Sequence, residues 1–363
     1  MRDRYSTIDT ESPIPRPQHS SPCALIAMSG GVDSTVAALL AIRSGLDCTG
    51  AMMKLRPGDD IEKSDAELAA EMLGIPFHVH DFSGAFAATI ISRFISAYRN
   101  GSTPNPCIDC NRHIKFGLLM RVVKQLGADY LITGHYARTE KDANGRHLLR
   151  KGTDFAKDQS YVLYALSQEQ LSYAYFPLGG LIKQQVRDIA AEAGLQKTSQ
   201  RESQDICFVP DGDYAGFIKE FTGVTPNQGR FVDQDGNYLG PNKGVEYYTI
   251  GQRRGLGLAM PHPLYVLEIR AEDNTVVVGK NEMLYSRSML IRDINLIPVD
   301  KLDSSIKAQV RIRYRHSEQP ATVSQVDDDT IFITFDEPQR AITKGQSAVI
   351  YDGDYVIGGG TIV

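Results

Sequence analysis

Short apolar runs alternate with stretches of helical periodicity through the first half of the chain. Ala24 to Met28 predicts a buried strand, and Ser34 to Arg43 a helix ended by Gly45. Asp47 to Lys54 predicts a second strand, Asp65 to Leu73 a helix ended by Gly74, and Phe77 to His80 a third strand. Phe86, Ile90, Phe94 and Tyr98 recur every fourth residue, which puts one apolar stripe on a helix. A helix over Phe116 to Leu126 stops at Gly127 and leads into a strand at Tyr130 to Thr133, and a helix around Lys183 to Ala193 closes the region. Strand and helix in alternation predict an α/β fold with a parallel sheet and helices on both of its faces.

After about Pro210 the pattern changes. Gly, Asp and Asn become frequent, with turn signals at Asp235-Gly236-Asn237 and Glu272-Asp273-Asn274. From about Arg287 the runs are short and alternating: Ala308 to Tyr314, Ala321 to Val326, Thr330 to Phe335 and Ser347 to Tyr351. They predict a small β-barrel or sandwich. The expected organisation is a disordered extension over 1–20, an α/β catalytic domain over 21–210, a small central module over 211–286 and a C-terminal β-barrel over 287–363.

A length of 363 residues suits two or three domains, and 42% hydrophobic with 23% charged residues is a globular composition. No stretch approaches the roughly 20 apolar residues of a membrane span, and Met1 to Ser20 lacks an apolar signal core. The expected location is the cytoplasm, with no membrane partner. The formal charge of −5 argues against a generally basic nucleic-acid binder, although a local basic groove remains compatible with it. Five cysteines in a reducing compartment do not suggest a disulfide framework. Cys23 and Cys48 lie in runs expected to be buried.

Two segments carry chemistry. Ala27-Met28-Ser29-Gly30-Gly31-Val32-Asp33-Ser34 leaves a predicted strand and opens a predicted helix. Its glycines admit phosphate oxygens to the backbone, and the N–H groups of the helix start point at them. Ser29 and Ser34 add hydroxyl donors, and Asp33 suits Mg²⁺. The Gly-Lys-Ser/Thr ending of an ordinary P-loop is absent, which disfavours γ-phosphate transfer. The second segment runs from Ser102 through Pro104, Asn105, Pro106, Cys107 and Cys110 to Phe116. Its prolines stiffen the backbone, and Arg112, His113 and Lys115 surround Cys110 with charge that favours a thiolate nucleophile. Cys207 sits in a strand-like apolar setting, Ile206-Cys207-Phe208, that by itself fits a buried structural cysteine.

SGGVDS resembles the pyrophosphate loop of N-type ATP pyrophosphatases. Together with TPNPC and CNRHIKF, TGHYAR at 133–138, KDQSY at 157–161, ESQDICF, YTIGQRRGLGL, RYRHSEQPA and PQRAITKGQSAVIY, it makes the chain from about Cys23 onward similar to the tRNA-specific 2-thiouridylase family. The resemblance implies an N-terminal adenine nucleotide alpha hydrolase-like domain and ATP-dependent replacement of a wobble-uridine oxygen by sulfur. It implies Cys110 as nucleophile and Cys207 as persulfide carrier, with ATP held by Ala27, Met28, Ser29, Gly30, Gly31, Val32, Asp33, Ser34, Met53 and Gly134. It implies tRNA contacts at His135, Lys157, Asp158, Gln159, Arg313, Tyr314 and Gln346, with Asn105, Pro106 and Cys107 meeting the target base. A cysteine desulfurase or a relay of carriers would supply the sulfur. Two departures stand out. Some family members carry Asp where this chain has Cys107, leaving Asp109 as a substitute acid/base, and the loop after Lys54 is short.

The cysteines have a second reading, in which Cys107, Cys110 and Cys207 ligate three irons of a [4Fe–4S] cluster. For RNA, Arg311, Arg313 and Arg315 alternate on a predicted strand and would share one face. With His316, Arg253, Arg254 and Lys183 they would form a positive track, and Tyr247, Tyr248 and Tyr314 would offer rings for stacking. Other function classes are a pyrophosphate-loop C–N ligase, which has no need of the paired cysteines, and a noncatalytic RNA- or metal-binding protein.

Overall fold

The structure is a computed structural model that describes residues 21–56, 64–195, 206–209 and 211–363. The expected extension over 1–20, most of the short loop after Lys54, and Glu202 to Asp205 of the ESQDICF string lie outside the described residues. The chain divides into two compact units. One holds residues up to Ile90, Ile108–Glu202 and Asp354–Val356, and the other holds Ile91–Cys107, Ser203–Gly353 and Ile357–Val363.

The first unit is built on five strands, β1 Cys23–Ala27, β2 Asp47–Lys54, β3 Phe77–Asp81, β4 Tyr130–Ile132 and, past a hairpin, Ala174–Tyr175. Every pairing among them is parallel, as the alternation of strand and helix predicts. Helix α1, Val32–Arg43, follows β1, and α2, Asp65–Leu73, follows β2. Ser64 caps α2 by accepting from the Glu67 N–H, and Gly74 ends it in the left-handed conformation. Ile26, Val36, Ala37, Ala41, Ile132, Val186 and Ala190 share one buried core, so β1, α1, β4 and the helix Lys183–Glu192 pack as one body. Strand order runs β3-β2-β1-β4, so the connections reverse direction between β1 and β4. At such a switch point the carboxyl ends of two neighbouring strands open a crevice, where ligands of open α/β sheets bind. Sequence patterning misses the antiparallel hairpin β5 Ala137–Lys141 and β6 His147–Lys151, whose turn at Asp142–Gly145 is its local signal. The fifth parallel strand, Ala174–Tyr175, is β7.

The second unit contains two β modules. In the first, β8 Gly229–Val232, β9 Tyr238–Asn242, β10 Tyr265–Arg270 and β11 Thr275–Gly279 lie in the order β10-β11-β8-β9 around Phe231, Tyr248, Val266, Val276 and Val278. Both expected turns form: Asp233 accepts from the Asp235 and Asn237 N–H groups at 2.9 Å, and Asn274 takes a φ of 53°. In the second, β12 Tyr285–Leu296, β13 Ile306–Arg311, β14 Gln319–Gln325, β15 Ile331–Arg340, β16 Ser347–Asp352 and β17 Tyr355–Ile362 run β12-β15-β14-β13-β16-β17. β17 returns to pair with β12, Ile362 opposite Ile291, and the barrel closes. Ile331, Ile333 and Phe335 point inward along β15 while Phe332 and Asp336 face out, the period-two pattern of a barrel strand.

Three sequence expectations are corrected here. β13 ends at Arg311, and Arg313 to His316 form a turn closed by the His316 N–H on the Arg313 carbonyl at 3.0 Å, so the three arginines share no strand face. Arg311 pairs with Glu318 at 3.3 Å and lies over the Tyr351 ring, while Arg313 donates to the carbonyls of Arg340 and Ala341. Tyr248 is 3% exposed and packs edge-on against Phe231, which removes it from base stacking. Cys207 stands in an exposed turn, not in a buried strand.

Candidate functional site

In the first unit the SGGVDS loop leaves the carboxyl end of β1 and becomes the first turn of α1. Ser34 fastens it: its hydroxyl donates to the Gly31 carbonyl at 3.0 Å and accepts from the Ser29 N–H at 3.2 Å. Gly30 has a φ of +79°, and a Cβ there would lie 2.5 Å from the Asp65 Cβ, so the turn needs glycine for both conformation and space. Gly134, beyond the end of β4, closes on the loop from the other side of the switch point. A Cβ at Gly134 would lie 2.9 Å from both the Asp33 carbonyl carbon and the Ser34 nitrogen. Met53 is half-buried near the carboxyl end of β2, the strand on the opposite side of β1. Loop, Met53 and Gly134 thus lie at the carboxyl ends of three adjacent parallel strands.

The Asp33 carboxylate is held by two side chains. Tyr136 donates its hydroxyl at 2.8 Å, and Lys183 places its ammonium 2.8 and 2.9 Å from the two oxygens. Lys183, grouped in the sequence reading with an RNA-facing track, is therefore at the phosphate loop, and its charge is directed to Asp33. Tyr136 exchanges two hydrogen bonds with Gln159: its N–H donates to the Gln159 side-chain oxygen at 3.0 Å, and its carbonyl accepts the Gln159 N–H at 2.9 Å. Asp158, 4% exposed, accepts from the Gly152 N–H and from the N–H and hydroxyl of Ser160. Of this triplet Asp158 and Gln159 organise the loop, and Lys157 is half-buried at its side. His135 is 7% exposed; its Nδ1 lies 2.6 Å from the Thr133 hydroxyl, and burial with the nearby Lys115 charge holds its pKa well below the usual histidine range.

Cys110 is buried at the start of wide, π-helical turns spanning Cys110–Leu119. Such turns recur at functional sites. Two side chains clamp them: Asn111 donates to the Val162 carbonyl at 2.9 Å, and the Gln170 amide donates to the carbonyls of Arg112 and Phe116 at 2.8 Å each. His113 lies 3.9 Å from Asp109, at the outer limit of an ion pair. Cys23 and Cys48 are buried as expected, and desolvation pushes the Cys48 thiol up to about 11.

In the second unit, the segment leading to Cys107 is strapped to the barrel. The Thr103 N–H donates to the Lys344 carbonyl, and Gln346 donates to the Thr103 carbonyl, both at 2.8 Å. Asn105 accepts the Cys107 N–H at 3.2 Å, and Cys107 is exposed just beyond it. Phe208, next to Cys207, is anchored edge-on against Phe94 with ring centroids 5.2 Å apart, which fixes one side of the turn carrying the exposed thiol. Arg253 and Arg254 are exposed, as are Tyr314 and Arg315 on the β13–β14 turn. Among the described residues no three His, Cys, Asp or Glu side chains gather as a metal ion requires. No helix of the described residues is long and apolar enough to cross a membrane.

Three family models cover the chain: a tRNA methyl transferase HUP domain over 23–211, a tRNA methyl transferase PRC-barrel domain over 215–280 and an aminomethyltransferase β-barrel domain over 286–362. The tRNA-specific 2-thiouridylase MnmA of Clostridioides difficile is 47% identical over 350 residues, 93% of this chain and 97% of that protein. The corresponding protein of Clostridium acetobutylicum is 44% identical, again over 93% of this chain, and covers 98% of its own length. The chain belongs to the tRNA-specific 2-thiouridylase family. Among solved structures, a 4-thiouridine synthetase–RNA complex with bound ATP matches 53% of this chain and 46% of that one, at 17% identity and a TM-score of 0.36.

For a 2-thiouridylase-family chain, the residues implied by the resemblance fall into two groups by environment. The residues that the resemblance implies for the nucleotide lie at the carboxyl ends of β2, β1 and β4 in the first unit, with Cys110 buried in the same unit. Asn105, Pro106, Cys107, Cys207, Arg313, Tyr314 and Gln346 belong to the second. Sequence reading missed Tyr136 and Gln170, which act through partners distant in sequence. Phe155, two residues before Lys157, is 72% exposed.

Proposed function

We propose that this chain is an ATP-dependent tRNA sulfurtransferase that converts the wobble uridine to 2-thiouridine, releasing AMP and pyrophosphate. The observation that carries this reading is near-full-length identity of 47% to a curated tRNA-specific 2-thiouridylase. The loop supports it independently, because a Gly-rich turn at a switch point with no Gly-Lys-Ser/Thr ending suits attack on an α-phosphorus.

The uridine C2 oxygen is a poor leaving group. In the proposed reaction it attacks the α-phosphorus of ATP, pyrophosphate departs, and the resulting adenylate makes AMP the leaving group at C2. The N–H groups of residues 30–34 and the Ser29 hydroxyl are the donors for the phosphates, while the Ser34 hydroxyl is committed to the Gly31 carbonyl and holds the loop in shape. One carboxylate beside two hydroxyls fits Mg²⁺, which is commonly held by one or two carboxylates and substrate phosphates. Asp33 would hold the ion, which when bound neutralises charge on the pyrophosphate.

Sulfur arrives as a persulfide on Cys207, loaded by a desulfurase or carrier. Either Cys110 attacks it, freeing sulfide to add at C2, or the terminal persulfide sulfur adds at C2 and Cys110 then resolves the adduct. Both routes leave a Cys110–Cys207 disulfide that a reductant must reopen. Exposure of Cys207 suits loading by a partner, and the basic residues that follow Cys110 in the chain, Arg112, His113 and Lys115, favour its thiolate as the attacking group. Asn105, Pro106 and Cys107 meet the base; Lys157, Tyr314 and neighbouring basic residues meet the tRNA.

Labelled oxygen tests the adenylation step. With ¹⁸O at uridine C2, the proposal requires the label to appear in AMP, one atom per 2-thiouridine formed. Unlabelled AMP would exclude activation of that oxygen.

A further inference from the structure

Cys207 is exposed, and the residue after it begins a file of aromatic rings within the second unit. The Phe208 ring lies 5.2 Å from that of Phe217, and Phe217 stacks on Phe221 at 5.8 Å with 30° between the planes. Phe217 and Phe221 stand four residues apart on the helix Tyr214–Thr222, and so share one face. Both ends of that helix are fixed. Asp213 accepts the Gly216 N–H at 3.0 Å, and Gly223 ends the helix in the left-handed conformation. Phe208 is buried, but the far end of the file is not: Phe221 is 48% exposed, and Val224, just past the cap, is 55% exposed. Scattered exposed apolar residues are ordinary. Two on one rigid helix end, joined through stacked rings to the turn of an exposed thiol, mark an interface. Its charge narrows the partner: residues 211–224 carry Asp211, Asp213 and Glu220 against Lys219 alone. An apolar end with a net negative rim repels RNA phosphates and suits a protein face with apolar anchors and a basic surround.

We propose that the helix end bearing Phe221 and Val224 is the docking surface for the protein persulfide donor that loads Cys207. The inference rests on reading Cys207 as the sulfur carrier. In the docked pair the Cys207 thiolate attacks the terminal sulfur of the donor's persulfide. The donor's sulfur–sulfur bond breaks, the donor cysteine leaves as a thiolate, and Cys207 keeps the sulfur with its proton as a new persulfide. One sulfur–sulfur bond replaces another, so the step consumes no oxidant or reductant. The ring file gives the donor a foothold beside the thiol without covering it.

The test measures the rate at which the Cys207 peptide of the full chain gains sulfur from two donors. One is a cysteine desulfurase charged with ³⁵S-cysteine, and the other is glutathione persulfide, which has no protein face to dock. The desulfurase should load the wild type faster than glutathione persulfide does at equal concentration. Phe221→Ser and Val224→Asp should each slow loading from the desulfurase by about tenfold or more, the loss expected when an interface anchor is removed. Loading from glutathione persulfide should stay unchanged in both, which shows that the thiol and its turn are intact. Val224→Asp also leaves the ring stack untouched. Desulfurase loading that is unchanged in both variants, or no faster than from glutathione persulfide in the wild type, overturns the inference. So does a loss of tRNA affinity in its place, which would give the face to RNA, or a wild-type dimer dispersed by Val224→Asp, which would give it to a second copy. Should Cys207→Ser still form 2-thiouridine, the sulfur assignment itself fails, whatever the loading rates.

Discussion

Asn111, the residue after Cys110, donates from its side-chain amide to the Val162 carbonyl at 2.9 Å across 51 positions of the chain. The bond is buried, and it fixes the first turn of the helix that carries the proposed nucleophile. Replacing Asn111 by Ala leaves that carbonyl without the amide. The expected cost is about 1–3 kcal/mol of stability, read as a shift in the urea midpoint. Thiolation should fall further than the stability loss explains, because Cys110 loses its orientation. An Asn111→Ala protein with wild-type turnover at full folding would show that the clamp does not serve the cysteine.

Gly134 is the sharpest steric prediction. A Cβ there meets the Asp33 and Ser34 backbone at 2.9 Å, so Gly134→Ala must move the loop. ATP affinity should drop by at least about tenfold, as oriented loop N–H donors are displaced, while tRNA affinity changes little. Equilibrium binding of each ligand separates the two.

Much of this was legible before any coordinates. The ranges Asp47–Lys54 and Asp65–Leu73 follow directly from apolar runs and a closing glycine. Short alternating runs narrowed the C-terminal part to a barrel or sandwich, and the pairing of β17 with β12 decides for the barrel. What was not legible is partnership across long stretches of chain. Lys183 read as a surface charge because nothing near it in sequence points to Asp33. Arg311 and Arg313 read as an RNA-facing row because an alternating pattern does not announce where the strand stops, nor that Glu318 and two carbonyls wait for the guanidinium groups. Cys207 read as strand-like because its neighbours are apolar, yet Phe208 turns inward to an aromatic cluster and leaves the thiol outside.

That difference in exposure predicts an order of alkylation. At pH 8 a thiol with a pKa of about 11 is ionised to only about one part in a thousand, and Cys48 is also buried. Iodoacetamide followed by peptide mass mapping should label Cys107 and Cys207 first, with Cys23 and Cys48 protected until the chain unfolds. Early labelling of Cys48 would contradict the burial described.

Phe155, 72% exposed in the turn before Lys157, is expected to stack on an RNA base. Phe155→Ala should weaken tRNA binding by about 1–3 kcal/mol, and the slope of affinity against salt should stay unchanged because no phosphate contact is lost. Lys157→Gln should instead reduce that slope by about one.

Burial of His135 gives a pH dependence with a definite sign. Its pKa is depressed in the folded chain, so below about 6.5 the unfolded chain takes up a proton that the folded chain refuses. Its contribution is fully present above that pH and is lost as pH falls toward the folded value, at up to about 1.4 kcal/mol per pH unit. His135→Gln should flatten the acid limb of a stability profile measured between pH 7 and 5. An unchanged slope would mean that the ring is protonated in the folded state.

The most direct test of the whole account is product formation. Purified chain is incubated with unmodified tRNA, ATP, Mg²⁺ and a cysteine desulfurase supplied with cysteine and reductant, and the digested RNA is searched by mass for 2-thiouridine. The account predicts its appearance in the wild type, with loss in both Cys110→Ser and Cys207→Ser while tRNA binding persists. Undiminished 2-thiouridine in either serine variant would contradict the assigned sulfur chemistry, and no 2-thiouridine or ATP turnover in the wild type would contradict the function itself.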